Sequence, residues 1–251
     1  MFKNLYLNKL IFAIKTIFAT AGVFFGAQLV TGIVFTSILV ALGRNQEEIR
    51  ALLTGDESIY ILLLSMFVAM LSIAGVIFLL QFKKVKKPWE YVGLRGVQFR
   101  WKNVLQVLAL YAFYFVFLII IMSLVDSFTG VDVEQQQELG ISNPRSFVDY
   151  MQVFVLLAII PPLFEEILFR GFLYRTLRKR LSLVISAVIT CVLFGIAHLE
   201  YDNLNWVAAI DTMVFSAFLI YLVEKQQSLY GAILLHMLKN SIAFFALFVY
   251  S

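Results

Sequence analysis

Charge is scarce in this sequence: 14% of its residues are Asp, Glu, Lys or Arg, against 61% apolar and 16% aromatic. With a mean hydropathy of +0.89, a water-soluble globule of 251 residues would expose mostly apolar side chains and aggregate, so lipid must be the solvent. Cysteine occurs once, as Cys191, which excludes an intrachain disulfide and leaves that thiol as packing in an apolar run. No stretch rich in Pro, Gly or Ser divides the chain, and neither a repeat nor a low-complexity segment interrupts it. Residues 1–251 therefore read as one integral membrane domain. The net charge of +4 does not point to nucleic acid, because the basic residues sit in loops beside apolar runs and report orientation instead.

What is abundant is apolar sequence of membrane-crossing length. About 20 residues at 1.5 Å rise cross the hydrocarbon, and seven stretches approach that length: about 12–42, 59–82, 103–125, 147–173, 182–199, 206–223 and 229–249. The expected fold is all-α, a multi-span transmembrane bundle of about seven to eight helices. Lys3, Lys9 and Lys15 before a long apolar run suggest a signal peptide, but the 27 residues from Thr16 to Leu42 are too many for one, so an uncleaved first span is expected. Seven Lys and Arg lie between Lys83 and Lys102, and Arg175, Arg178, Lys179 and Arg180 form a second basic turn. The alternate loops are acidic, with Glu47, Glu48, Asp56 and Glu57, then Asp126, Asp132, Glu134 and Glu138, then Glu200 and Asp202. This asymmetry predicts a multi-pass protein of the cell membrane with its N-terminus cytoplasmic. With seven crossings, Ser251 falls outside.

Against that background Glu165 and Glu166 stand out in IIPPLFEEILFRGFLY. An ionisable side chain at mid-bilayer costs roughly 2.5–3.5 kcal/mol on insertion scales, so such groups face a protein interior and are functional by default. Pro161 and Pro162 suit the first turn of a helix and not its interior, so a kink or restart is expected there. The glutamates would then lie in or just past a helix start, where unpaired N–H groups favour negative charge. Glu166 and Arg170 are four apart and share a face, which predicts an ion pair. Glu165, about 100° around the helix, is left for chemistry.

The only two histidines, His198 and His236, lie in equally apolar runs, with Asn240 four residues after His236 on the same face. If the helix of Glu165 turns near Leu181, Glu165 lies 16 residues before the turn and His198 lies 17 after it, at nearly the same depth. A histidine alone reads as an interhelical bond and an asparagine alone as helix glue; their shared depth with a spare carboxylate favours a site. Hydrolysis uses every group. Glu165 serves as general base on a water, His198 orients that water or moves its proton, and His236 and Asn240 donate to the oxyanion. A zinc held by Glu165, His198 and His236 is the metal alternative, although the HExxH spacing is absent, as is a GxSxG elbow. Two further readings stay open: a noncatalytic immunity or scaffold protein, and a proton or ion relay. Lys239 and Asp211 are expected to be structural, Lys239 either snorkelling or pairing with Asp211.

The motifs EExxxR (Glu165, Glu166, Arg170), FxxxH (Phe194, His198) and HxxxN (His236, Asn240) occur in that order on successive apolar segments. Over about residues 147–245 this resembles the CPBP family, the CAAX proteases and bacteriocin-processing enzymes also called the ABI family. The resemblance implies an intramembrane endopeptidase with Glu165, His198, His236 and Asn240 on the catalytic positions and Glu166 and Arg170 as the supporting pair. It implies a peptide or protein substrate at the lipid bilayer, lipidated in the eukaryotic relatives that remove three residues from prenylated CaaX proteins. Bacterial members of the family are linked to bacteriocin self-immunity, peptide-signal maturation and envelope regulation.

Overall fold

The computed structural model describes residues 2–54, 58–94, 101–129, 144–199 and 206–250. Of the loop charges that set the expected orientation, Asp56, Glu57, Arg95, Arg100, Asp132, Glu134, Glu138, Glu200 and Asp202 lie outside the described residues. The described residues form helices and no strand: α1 (Phe2–Ala41), α2 (Gln46–Thr54), α3 (Ser58–Phe82), α4 (Pro88–Val92), α5 (Trp101–Thr129), α6 (Phe147–Arg178), α7 (Leu183–Ile196), α8 (Trp206–Gln226) and α9 (Tyr230–Phe248). Six of them, all but α2, α4 and α7, are long and apolar enough to cross a bilayer. The protein is an integral membrane protein built as a helical bundle.

The expected fifth span is corrected. Helix α7 has 14 residues, about 21 Å of rise, which is short of the ~30 Å hydrocarbon core. It begins on a Ser182 cap, whose hydroxyl accepts from the Ile185 N–H at 3.3 Å, and it ends at Ile196 where the polar run from His198 begins. His198 therefore sits in the terminating turn, its N–H bonded to the Gly195 carbonyl at 3.0 Å.

Helices α1, α3 and α5 are predominantly apolar and carry no polar stripe, as suits segments that meet lipid. Three buried hydroxyls of α1 are satisfied inside the helix: Thr16, Thr20 and Thr31 donate to the carbonyls four residues back at 2.8, 2.9 and 2.7 Å. Helix α6 starts on a capping box in which the Ser146 hydroxyl accepts from Asp149 N–H and the Asp149 carboxylate accepts from Ser146 N–H. Inside α6 the turns widen twice to i→i+5 bonding, at Val155–Ile159 and again at Glu166–Tyr174, with ordinary helix over Ile160–Glu165 between them. The break expected at the prolines thus takes the form of wide turns. Its consequence differs from the expected restart, because the Ile160 N–H already bonds the Val155 carbonyl and the two prolines have none to offer.

The chain groups into two compact units, Met1–Lys9, Trp89–Glu138 and Phe169–Leu235 in one, and Leu10–Pro88, Leu139–Leu168 and His236–Ser251 in the other. In the first, Phe172, Leu173 and Leu177 of α6, Phe194 of α7 and Phe215, Leu219 and Leu222 of α8 are all fully buried. The turn after α4 fits against this core through two glycines. Gly93 holds φ +96 and lies against the Arg175 guanidinium, while a side chain on Gly171 would come within 2.8 Å of the Val92 Cβ. In the second unit, α3 packs along the first half of α6, and Phe154 of α6 meets Phe244 of α9 edge-on at 5.2 Å.

Candidate active site

Glu165 and Glu166 stand where the ordinary helix of α6 gives way to its second wide turn. Both are buried, but Glu166 keeps no exposure whereas Glu165 keeps 9%. A buried carboxylate requires a partner, and the second unit supplies one from α9. His236, itself buried, lies with Nδ1 2.9 Å from Glu166 Oε1 and Nε2 3.9 Å from Glu165 Oε2. One imidazole thus faces both carboxylates.

The two contacts differ in kind. At 2.9 Å the Glu166 contact is a hydrogen bond, in which Nδ1 is the donor when the carboxylate carries its charge. That bond fixes the ring and aims Nε2 at Glu165, the arrangement by which carboxylates orient working histidines. At 3.9 Å the Glu165 contact is longer than a hydrogen bond, a slack common at catalytic contacts before substrate arrives. Of the two carboxylates, Glu165 is the one that keeps any exposure.

Asn240, one turn along α9, is half-buried and donates from Nδ2 to the Leu157 carbonyl at 2.9 Å. Because a carbonyl can only accept, that contact also fixes which end of the amide carries nitrogen. His236 and Asn240 therefore each hold α9 to α6, one through a carboxylate and one through the backbone.

His198 and Arg170 belong to the other unit. Arg170 is fully buried, with its guanidinium 4.0 Å above the centre of the Phe194 ring, a cation–π contact strengthened by desolvation. The other neighbour of Phe194 is His198, ring to ring at 4.5 Å. The Nδ1 of His198 bonds to the Phe194 carbonyl at 2.8 Å, so Nδ1 carries the proton and Nε2 of the neutral ring holds a lone pair. Phe194 thus joins the EExxxR and FxxxH motifs physically, with Arg170 on its face and His198 against it.

Two features escaped the sequence. The role of Glu166 toward His236 was hidden by its four-residue spacing to Arg170, which is an equally good pairing signal. Asp211 accepts from the Tyr114 hydroxyl, a partner 97 residues away that no local spacing indicates. Cys191 is a buried free thiol, consistent with packing.

Of the residues named for a zinc, Glu165 and His236 lie together in one unit and His198 belongs to the other. Glu165 and His236 present two donors, but among the described residues no group of three or more His, Cys, Asp or Glu side chains is placed to hold a metal ion, and a catalytic zinc takes three protein ligands. No step below runs through a metal.

Residues 147–242 match the family model of the Rce1-like proteins, described as type II CAAX prenyl endopeptidase Rce1-like. The match spans α6 through most of α9 and takes in all three motifs. No curated protein and no solved structure matches the chain.

Proposed function

We propose, from the premise that residues 147–242 belong to the Rce1-like type II CAAX prenyl endopeptidases of the CPBP family, that this protein is an intramembrane endopeptidase in which Glu165 activates the attacking water. The observation that carries the reading is the His236 imidazole held by Glu166 at 2.9 Å and directed at Glu165 at 3.9 Å. The reading gives the catalytic task to Glu165, which keeps 9% exposure, and the supporting one to Glu166, which keeps none.

In the proposed reaction Glu165 takes a proton from water as its oxygen bonds to the scissile carbonyl carbon. The carbonyl oxygen becomes an oxyanion, held by the Asn240 amide and by Nε2–H of His236, whose ring acts here as the imidazolium with its Nδ1–H still on Glu166. The C–N bond then breaks, and the proton held by Glu165 leaves on the new amine, which balances the hydrolysis. His198 is assigned from the motif order and from its tautomer: with Nδ1 committed to Phe194, Nε2 is the nitrogen that accepts a hydrogen bond from the water and orients it while Glu165 takes the proton. Glu166 and Arg170 support, Glu166 by orienting His236 and Arg170 by its packing on Phe194.

The substrate class is a membrane-associated peptide or protein with a CaaX-type end, prenylated near the cleavage site. The setting is the cell membrane, with the N-terminus on the cytoplasmic side. The test is product analysis by mass spectrometry: purified protein in detergent, a prenylated CaaX peptide and its unlipidated counterpart, with and without chelator. Release of the C-terminal tripeptide from the prenylated peptide, undiminished by chelator, is expected. Loss of cleavage with chelator and its return with zinc would overturn the metal-free mechanism, and no cleavage of either peptide would favour a noncatalytic membrane role.

A further inference from the structure

The tandem prolines create the acceptor that Asn240 uses. In an ordinary helix the Leu157 carbonyl would accept from the N–H of residue 161, and in a wide turn from that of residue 162. Both positions are proline, and proline carries no N–H. The nearer candidate is the N–H of Ile160, and it is already bonded to the Val155 carbonyl. Every helical donor within reach of the Leu157 oxygen is thus removed by sequence or engaged elsewhere. Left bare in a membrane helix, such a carbonyl is costly, because no water is there to solvate it. Asn240 meets it at 2.9 Å.

An asparagine amide has two N–H bonds in one plane. When one is fixed on Leu157, the direction of the other is fixed as well. We propose that Pro161 and Pro162 act as positioning residues for hydrolysis, by freeing the Leu157 carbonyl to anchor the Asn240 amide and so presetting its second N–H as the oxyanion donor. The inference rests on the oxyanion role given to Asn240 above and adds how that donor is aimed. It assigns the prolines a task beyond bending the helix: a donor held before the reaction needs no reorganisation when charge develops, which is the condition under which such donors are effective. It also explains why the anchor comes from the backbone, whose position the helix fixes, and not from a mobile side chain.

Replacing Pro161 with alanine restores a backbone N–H to the helix at the position that competes for Leu157. The decisive set is Pro161→Ala, Asn240→Ala and the double variant, each measured for kcat, KM and thermal midpoint in detergent. Asn240→Ala is expected to lose about 100-fold or more in kcat, the scale of one lost oxyanion donor, and to melt earlier. Pro161→Ala is expected to lower kcat about tenfold, a fraction of that donor's effect, with KM unchanged and no fall in midpoint. In the double variant the backbone N–H takes over Leu157. Its midpoint should return toward that of the unaltered protein while its kcat stays as low as that of Asn240→Ala alone.

An unaltered kcat in Pro161→Ala would overturn the proposal, as would a double variant that melts no later than Asn240→Ala. If Asn240→Ala does not fold, recovery of folded protein in the double variant gives the same reading, and failure to recover it counts against the proposal. Should the unaltered protein cleave nothing, the endopeptidase reading fails by itself. The midpoint comparison still tests the shared carbonyl in that event, so the two failures are distinguishable.

Discussion

Replacing Glu166 with glutamine changes one property of the site, the charge that faces His236 Nδ1. The amide has nearly the shape of the carboxylate, and its oxygen can still accept from Nδ1 across the 2.9 Å contact. A hydrogen bond to a charged partner contributes about 1.5–3 kcal/mol and a neutral one about 0.5–1.5 kcal/mol, so the substitution removes roughly 1–1.5 kcal/mol of restraint on the ring. At about 1.4 kcal/mol per tenfold, kcat should fall roughly 5- to 12-fold. Glu165→Gln removes the proposed base itself and should lower kcat about 100- to 10,000-fold. Glu166→Ala differs again, since it leaves a buried imidazole N–H without its acceptor and should cost about 1–3 kcal/mol of stability before any effect on rate. The assay is steady-state cleavage of a prenylated CaaX peptide by the purified variants, beside thermal unfolding in the same detergent. The reasoning is refuted if Glu166→Gln is as inactive as Glu165→Gln, or if it matches the unaltered protein; in either case Glu166 does not act by orienting His236.

Phe194→Leu removes the ring that carries Arg170 at 4.0 Å and His198 at 4.5 Å; it should cost about 1–2 kcal/mol in unfolding measurements and lower kcat more than KM, because the ring also sets the orientation of His198. Gly171→Ala puts a Cβ within 2.8 Å of the Val92 Cβ in a fully packed core, and should lower stability by about 1–3 kcal/mol; an unchanged unfolding midpoint would show that α4 does not pack where described.

Much of the fold was legible because lipid imposes a length rule. The stretch at 59–82 became Ser58–Phe82 and that at 147–173 became the Phe147–Arg178 helix. The two misjudged ends have physical causes. Helix α1 reaches back to Phe2 through Lys3, Lys9 and Lys15, since lysine is a good helix former even where it marks the edge of an apolar run. Helix α7 stops short because hydropathy continues through Ala197 while the helix does not. Within the site, the four-residue spacing of His236 and Asn240 correctly put both on the face that meets α6. What spacing could not supply was which carboxylate faces which nitrogen, because that depends on turns of α6 that widen at Glu166. The Leu157 contact was hidden for another reason: its acceptor is a backbone atom, visible in sequence only as a proline pair four and five residues downstream.

The most direct measurement is single-turnover cleavage of a prenylated CaaX peptide by Glu165→Gln, set beside the unaltered protein and with folding checked by thermal unfolding. The account predicts tripeptide release by the unaltered protein and a loss of about 100-fold or more in the variant, at an unfolding midpoint that stays close to the original. Cleavage by Glu165→Gln at the unaltered rate would contradict it, since the water would then be activated by some other group.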